Sequence, residues 1–423
     1  MRLRFAATVN LALLLLTLGF GPIFQRATGA TLLSLRFIDL LLPLFALLMG
    51  LIWLRERQLP DLKTPLFILL FLFALWTLTS LFVSQHFLLT VRRIGRIWLL
   101  LIMVAGIQTL QLPLKQIAQL LALHLLGQSA LAIAQFQRQA SVGLHWLGEA
   151  QLGENVLRMG DQFVMRAQGF TEHPNLLAIV LLTSLFVLLA GISAETPLQS
   201  LLFLSVLLLG SSAFFFTFSR AATLGGLLAL LFLLGQHITT PQGLFKQRRL
   251  LPVALIILMP VLLLGYFYRD IWLSRLTISS TLEFTSIQER VIHNQVALAM
   301  LQEYPLFGVG ARNGQFLFSN YFVVEAPISQ VIHSTVMLIS AELGFIGGLL
   351  WLAILLYPPL YTIRQRKYLT PTQHILTAAL LPYLIVDWTS PAAWDTPTGS
   401  LLRWLLLALW IQHVEKSRVL RRK

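Results

Sequence analysis

Twelve stretches of about 20 apolar residues, nearly free of charge, punctuate this chain. They fall at approximately 5–21, 31–54, 64–84, 92–111, 114–137, 174–193, 197–218, 221–237, 250–268, 330–357, 372–388 and 398–414. Few folds accept such runs, because a bilayer interior satisfies backbone polar groups only inside a helix or a closed barrel. The chain therefore reads as all-α, a polytopic membrane protein with about 12 transmembrane helices. Composition agrees: 57% of its 423 residues are hydrophobic and 11% are charged, about half the charged share of a soluble protein. Mean hydropathy is +0.77.

The formal net charge of +14 does not point to nucleic acid, since the basic residues sit in short clusters between apolar runs. Cysteine is absent, which excludes a disulfide framework and a thiolate metal site. The first 20 residues, MRLRFAATVNLALLLLTLGF, resemble a secretory signal. No soluble domain follows them, so they read as an uncleaved first span of a single integral membrane domain, 1–423.

Two connections are long: 138–173 and 269–329. Basic residues set their side. With the N-terminus cytoplasmic, the inner segments hold seventeen Lys and Arg residues and the outer segments nine, none of them lysine. Both termini then face the cytoplasm, and both long loops face the periplasm or exterior. Within the larger loop, 286–304 (SIQERVIHNQVALAMLQEY) places Ile287, Val291, Leu298 and Leu301 on one helical stripe. Ser286 and Glu289 form a capping-box pattern. Pro305 and Gly308, in PLFGVG, end the predicted helix, which reads as amphipathic and lying near the membrane surface.

Four groups on the outer side carry potential chemistry. Arg166 stands in RAQGFTEHPNLLA, just before the sixth span. Its bland reading is an interfacial arginine on lipid phosphate, and its functional reading a guanidinium aimed into an outward cavity. Arg220, in FFFTFSRAATLGG, sits between two spans with almost no loop and either snorkels or lines a polar cavity. Arg290 reads by itself as a solvated charge beside Glu289, and His293 as a residue of the polar face. His333 enters the tenth span, after Pro327 and Ser329. A helix N-terminus disfavours imidazolium, so a neutral, proton-accepting histidine fits there. Glu342, nine residues on, is about 13 Å away by helical rise. It reads as a bond to a neighbouring helix, with Gly344, Gly347 and Gly348 allowing tight packing.

Other groups read as structural. Arg36 and Asp39 neutralise one another, Arg92, Arg93 and Arg96 form a basic cluster suited to an anionic headgroup, and Asp387 and Asp395 order the last loop. There is no Asp-x-Asp pair, no zinc spacing and no Gly-rich loop with lysine. No metal or other cofactor is expected. If phosphate is handled, arginine supplies the charge, through a fork that matches phosphate oxygens and stays protonated.

RAQGFTEHPN at 166–175, SRAA at 219–222, QERVIHNQVALAMLQEYPLFGVG at 288–310 and HSTVMLISAELGFIGG at 333–348 occur in one order. Together, from about 160 to 350, they make the chain resemble the O-antigen ligase and O-antigen polymerase family. That family often has Asn after the histidine, where this chain has Ser334.

The resemblance implies a twelve-helix membrane glycosyltransferase of lipopolysaccharide or other polysaccharide biosynthesis. Its donor would be a glycan on undecaprenyl diphosphate, moved without nucleotide or metal ion. Carried over residue by residue, it makes His333 the base for the acceptor hydroxyl. It makes Arg166, Arg220 and Arg290 ligands of the diphosphate. A ligase uses a lipid A core sugar as acceptor and a polymerase a second lipid-linked repeat unit; the motif set favours the ligase. The rival of another class, a transporter or lipid flippase, lacks support from any internal repeat. Membrane lipids are the remaining expected partners.

Overall fold

The computed structural model describes residues 1–149, 156–191, 196–239, 250–277, 281–322 and 331–415, apart from positions 23, 29, 30, 58, 61, 160 and 161. Pro327, Ser329 and the basic clusters at 246–249 and 416–423 lie outside the described residues.

The protein is a nearly all-α membrane protein. Helix runs through each of the twelve apolar stretches. Among the described residues, six helices are long and apolar enough to cross a membrane: Phe37–Glu56, Pro65–Val83, Leu114–Arg138, Pro174–Gly191, Pro197–Phe216 and Thr335–Tyr368. The first stretch is shorter as a helix than its apolar run, Arg2–Leu16. The eleventh is divided between Pro371–Ala378 and Tyr383–Val386. Two small antiparallel hairpins depart from the all-helical expectation. Phe24–Thr28 pairs with Thr31–Leu35, and Val156–Met159 pairs with Gln162–Met165. The second span consequently starts at Phe37 rather than 31.

The chain divides into two compact units. The first comprises 1–48, 112–283 and 365–382. At its centre lies Pro174–Gly191, nearly every side chain of which is buried, as expected for a helix that is apolar all round. Leu177, Leu181 and Leu185 pack there with Leu125, Leu207, Phe215, Phe216 and Phe218. The FFFTF run supplies an aromatic cap to this core: the Phe136 and Phe216 rings stack at 4.1 Å, and Tyr268 meets both edge-on.

The second unit comprises 49–111, 284–364 and 383–423. Its central helix, Pro397–Trp410, is buried along its whole length. Arg403 on that helix is enclosed over the Tyr383 ring, 4.3 Å from its centroid. Its guanidinium faces the Asp387 carboxylate, which also accepts from the Trp351 indole at 3.2 Å.

The loop 269–329 is more helical than its sequence suggests, with helices Arg269–Thr277, Thr281–Glu303 and Gly314–Tyr321. The middle helix begins five residues before the predicted capping box, so Ser286 lies inside it rather than at its start. Its buried stripe is also different. His293, Val296, Ala297 and Met300 face inward, whereas Val291 and Leu298 are 51% and 47% exposed. Both faces carry apolar residues at helical spacing, and packing selected the one that includes the histidine.

Gly344 does not serve close helix packing. It breaks the Thr335–Gln365 helix, at φ 72° and ψ −177°, in the left-handed region that favours glycine. A Cβ there would strike the Leu306 carbonyl. The break frees carbonyls that the PLFGVG loop and a tryptophan then satisfy. Val309 N–H donates to Ala341 O at 3.0 Å, Gly310 N–H to Glu342 O at 2.9 Å, and Trp76 Nε1–H to Leu343 O at 2.8 Å. In return, Phe345 N–H donates to Pro305 O at 2.8 Å.

Candidate active site

In the second unit, Ser334 is the N-cap of the Thr335–Gln365 helix. Its Oγ accepts from Met337 N–H at 3.3 Å, and its carbonyl from Leu338 N–H at 2.8 Å. Ser and Asn are equivalent in this role, so Ser334 keeps what an Asn would supply. The last loop holds the same terminus. Thr335 N–H donates to Ser390 O at 3.1 Å and Val336 N–H to Asp387 O at 3.2 Å, while the Ser334 hydroxyl donates to Asp387 O at 3.2 Å. His333 therefore stands one residue before the N-cap of a helix whose first amides are occupied.

The His333 ring meets His293. Nδ1 of His333 lies 2.7 Å from Nδ1 of His293, and the rings stack at 4.7 Å with 13° between their planes. Phe318 closes the far side of His293 edge-on at 5.1 Å. His293 is fully enclosed, so its expected place on a polar face is corrected. His333 remains half-buried. Burial, the His293 ring and the Arg290 charge together push the His333 imidazole down to about 4. Arg290, three residues before His293, lies on the same side of its helix. The structure thus brings Arg290 and His333 together, and adds a second imidazole. The i, i+3 spacing of Arg290 and His293 was the available sequence signal.

The same unit holds an ionic cluster. Arg93, expected on a headgroup-binding surface, is buried instead. It donates to Asp395 Oδ1 at 2.7 Å and to the Trp394 carbonyl. Arg312 pairs with the same carboxylate. Burial alone would raise the Asp395 carboxyl, but the two guanidiniums hold it at about 2. Glu342 accepts from the Trp394 indole at 2.7 Å, as its reading as a contact to a neighbouring segment anticipated.

The other two arginines belong to the first unit. Arg166 is 7% exposed. Its Nε donates to Thr217 O at 2.8 Å and its Nη2 to Asn175 Oδ1 at 2.7 Å. The RAQGFTEHPN segment is fixed by two glutamines, two helical turns apart on Leu114–Arg138. Gln135 Oε1 accepts from Gln168 N–H at 3.2 Å and Gly169 N–H at 2.8 Å, and Gln128 Oε1 from Phe170 N–H at 3.0 Å. Gly169 is needed at φ 57°, where a Cβ would meet Gln128 Oε1. Arg36 reaches Glu172 of this segment, and the Asp39 carboxylate accepts from Arg36 N–H at 3.0 Å. Arg220 opens the helix Arg220–Thr239 and is half-buried. Its neighbour Gly225 touches Pro382 so closely that a Cβ would approach Pro382 Cα to 2.7 Å.

Among the described residues, no three histidine or acidic side chains converge as metal ligands. No curated protein matches the chain. The family model described as O-Antigen ligase matches residues 204–352. Over those residues, about a third of the chain, the sequence is similar to the O-antigen ligase family, as the motif resemblance implies. The O-antigen ligase match contains Arg220, Arg290, His293 and His333, whereas Arg166 precedes it. Members of this family are ligases and polymerases, and hence enzymes acting on lipid-linked glycans.

Proposed function

We propose that this protein is a metal-independent inverting glycosyltransferase of the O-antigen ligase type. It moves a glycan from undecaprenyl diphosphate to a lipid A core sugar at the periplasmic face of the bacterial inner membrane. The observation that carries the reading is His333 just before its helix, with its Nδ1 2.7 Å from His293 one helical turn from Arg290, all within the segment that matches the O-antigen ligase family.

Each partner suits one half of such a transfer. The acceptor hydroxyl gives its proton to His333 as its oxygen bonds to the anomeric carbon. The bond from that carbon to the diphosphate oxygen breaks on the opposite face, which inverts the centre. Negative charge then gathers on the departing undecaprenyl diphosphate. A guanidinium held in place stabilises that charge more in the transition state than in the bound donor. Arg290 takes this role, and Arg166 and Arg220 are assigned to the diphosphate by the family resemblance. A histidine base contributes about 10²–10⁴-fold.

The test is turnover of a polyprenyl-diphosphate-linked oligosaccharide by the full-length protein. His333→Ala lowers the rate by about 10²-fold or more; near-normal turnover would remove the base assignment. The product separates ligase from polymerase. Glycan joined to lipid A core supports the ligase, and lengthened undecaprenyl-linked chains support the polymerase. Transport of the lipid without new glycosidic bonds would overturn both.

A further inference from the structure

The two stacked imidazoles raise a question that one histidine does not. A hydrogen bond between two ring nitrogens contains one proton, so one ring donates and the other accepts. With Nδ1 of His333 occupied by His293 at 2.7 Å, only its Nε2 remains to meet a substrate. We infer that His293 is the positioning residue of the base: it accepts the Nδ1–H of His333 and so leaves the lone pair on Nε2 of His333. The inference rests on the reading of His333 as the base.

Three observations support this assignment of the proton. First, Nδ1 of His333 lies 2.7 Å from Nδ1 of His293, so that nitrogen is already engaged within the protein. Second, His293 is wholly enclosed, with the Phe318 ring edge-on to it at 5.1 Å, so it is suited to hold a partner and not to meet a glycan. Third, the arrangement survives the reaction. When the acceptor hydroxyl passes its proton to Nε2, His333 becomes an imidazolium, and its Nδ1–H still donates to His293. In the opposite tautomer Nε2 carries the hydrogen and cannot accept. Among the described residues, His293 and Arg290 from the helix Thr281–Glu303 and the Val331 carbonyl from the segment before it act on the His333 ring.

Substitutions at 293 in the full-length protein, with a polyprenyl-diphosphate-linked oligosaccharide as donor, test the idea. Asn places an amide oxygen near the position of Nδ1, Gln places its amide near Nε2, and Leu offers no acceptor. His293→Leu and His293→Gln lower kcat by about 10–100-fold, with KM for the donor changed less than about twofold. His293→Asn restores kcat to within about threefold of the parent. In His293→Asn the acid limb of the rate profile moves to higher pH, because the neighbouring ring no longer competes for charge. If His293→Leu does not fold, the contrast between Asn and Gln decides. Equal activity of Leu and the parent, or of Asn and Gln, overturns the inference. His333→Ala separates the two readings. Full turnover there removes the base and this inference with it, whereas an inactive His333→Ala beside a fully active His293→Leu removes only the role of His293.

Discussion

At the scale of the residue, the site turns on how a protein keeps an imidazole uncharged. Free histidine is half protonated near pH 6.5. Burial, the His293 ring and the Arg290 guanidinium each disfavour a second proton on His333, and its midpoint falls to about 4. The sign matters: the neutral form is the working base, so activity is complete above the lowered value and is lost as pH falls through it. Donor turnover is expected to stay level from about pH 8 to about pH 5 and to decline below that. Arg290→Gln removes one of the charges that hold the value down. Its acid limb is expected to move toward pH 6.5, with a lower plateau from the lost diphosphate contact. Rate profiles of the two proteins on one donor check this, and superimposable acid limbs would show that Arg290 does not act on His333.

At the scale of the element, the broken helix Thr335–Gln365 shows why some features were legible in the sequence and others were not. Apolar runs announced helices because a helix is the local solution to burying backbone in hydrocarbon. The break at Gly344 is not local: it exists because residues 305–310 lend it hydrogen-bond donors and an acceptor from another part of the chain. The same limit hid His293, whose helix has apolar residues on both faces, so that packing alone chose the buried one. Arg93 read as surface charge because its partners, the Asp395 carboxylate and the Trp394 carbonyl, are distant in sequence. Capping chemistry is local, yet the cap predicted at Ser286 lies inside a helix, whereas Ser334, read only as a departure from the family's Asn, is the cap in use. Gly344→Ala tests the break. A Cβ at positive φ, driven against the Leu306 carbonyl, is expected to cost roughly 2–4 kcal/mol. Gly50→Ala, in a helix with nothing within 4 Å of the new Cβ, is expected to be neutral or to stabilise by up to about 1 kcal/mol. Thermal unfolding of the two purified proteins in one detergent compares them, and equal midpoints would mean that the break does not need its glycine.

At the scale of the whole molecule, the proposed chemistry requires an orientation, because a donor presented outside is useless to a base that faces inward. The argument for orientation is electrostatic. Seventeen basic residues fall in the segments assigned to the cytoplasm against nine in the longer outer ones, and lysine and arginine near span ends are retained on the cytoplasmic side. The chain has no cysteine, so each introduced thiol is a single reporter on a native background. Trp146, 72% exposed in the segment 138–173, and Lys367, exposed between the helices Thr335–Gln365 and Pro371–Ala378, lie on opposite sides in the proposed arrangement. In right-side-out vesicles a membrane-impermeant maleimide is expected to label Trp146→Cys at once and Lys367→Cys only after permeabilisation. The converse pattern would place the segment after His333 in the wrong compartment and leave a lipid-linked glycan on the outer leaflet without a base.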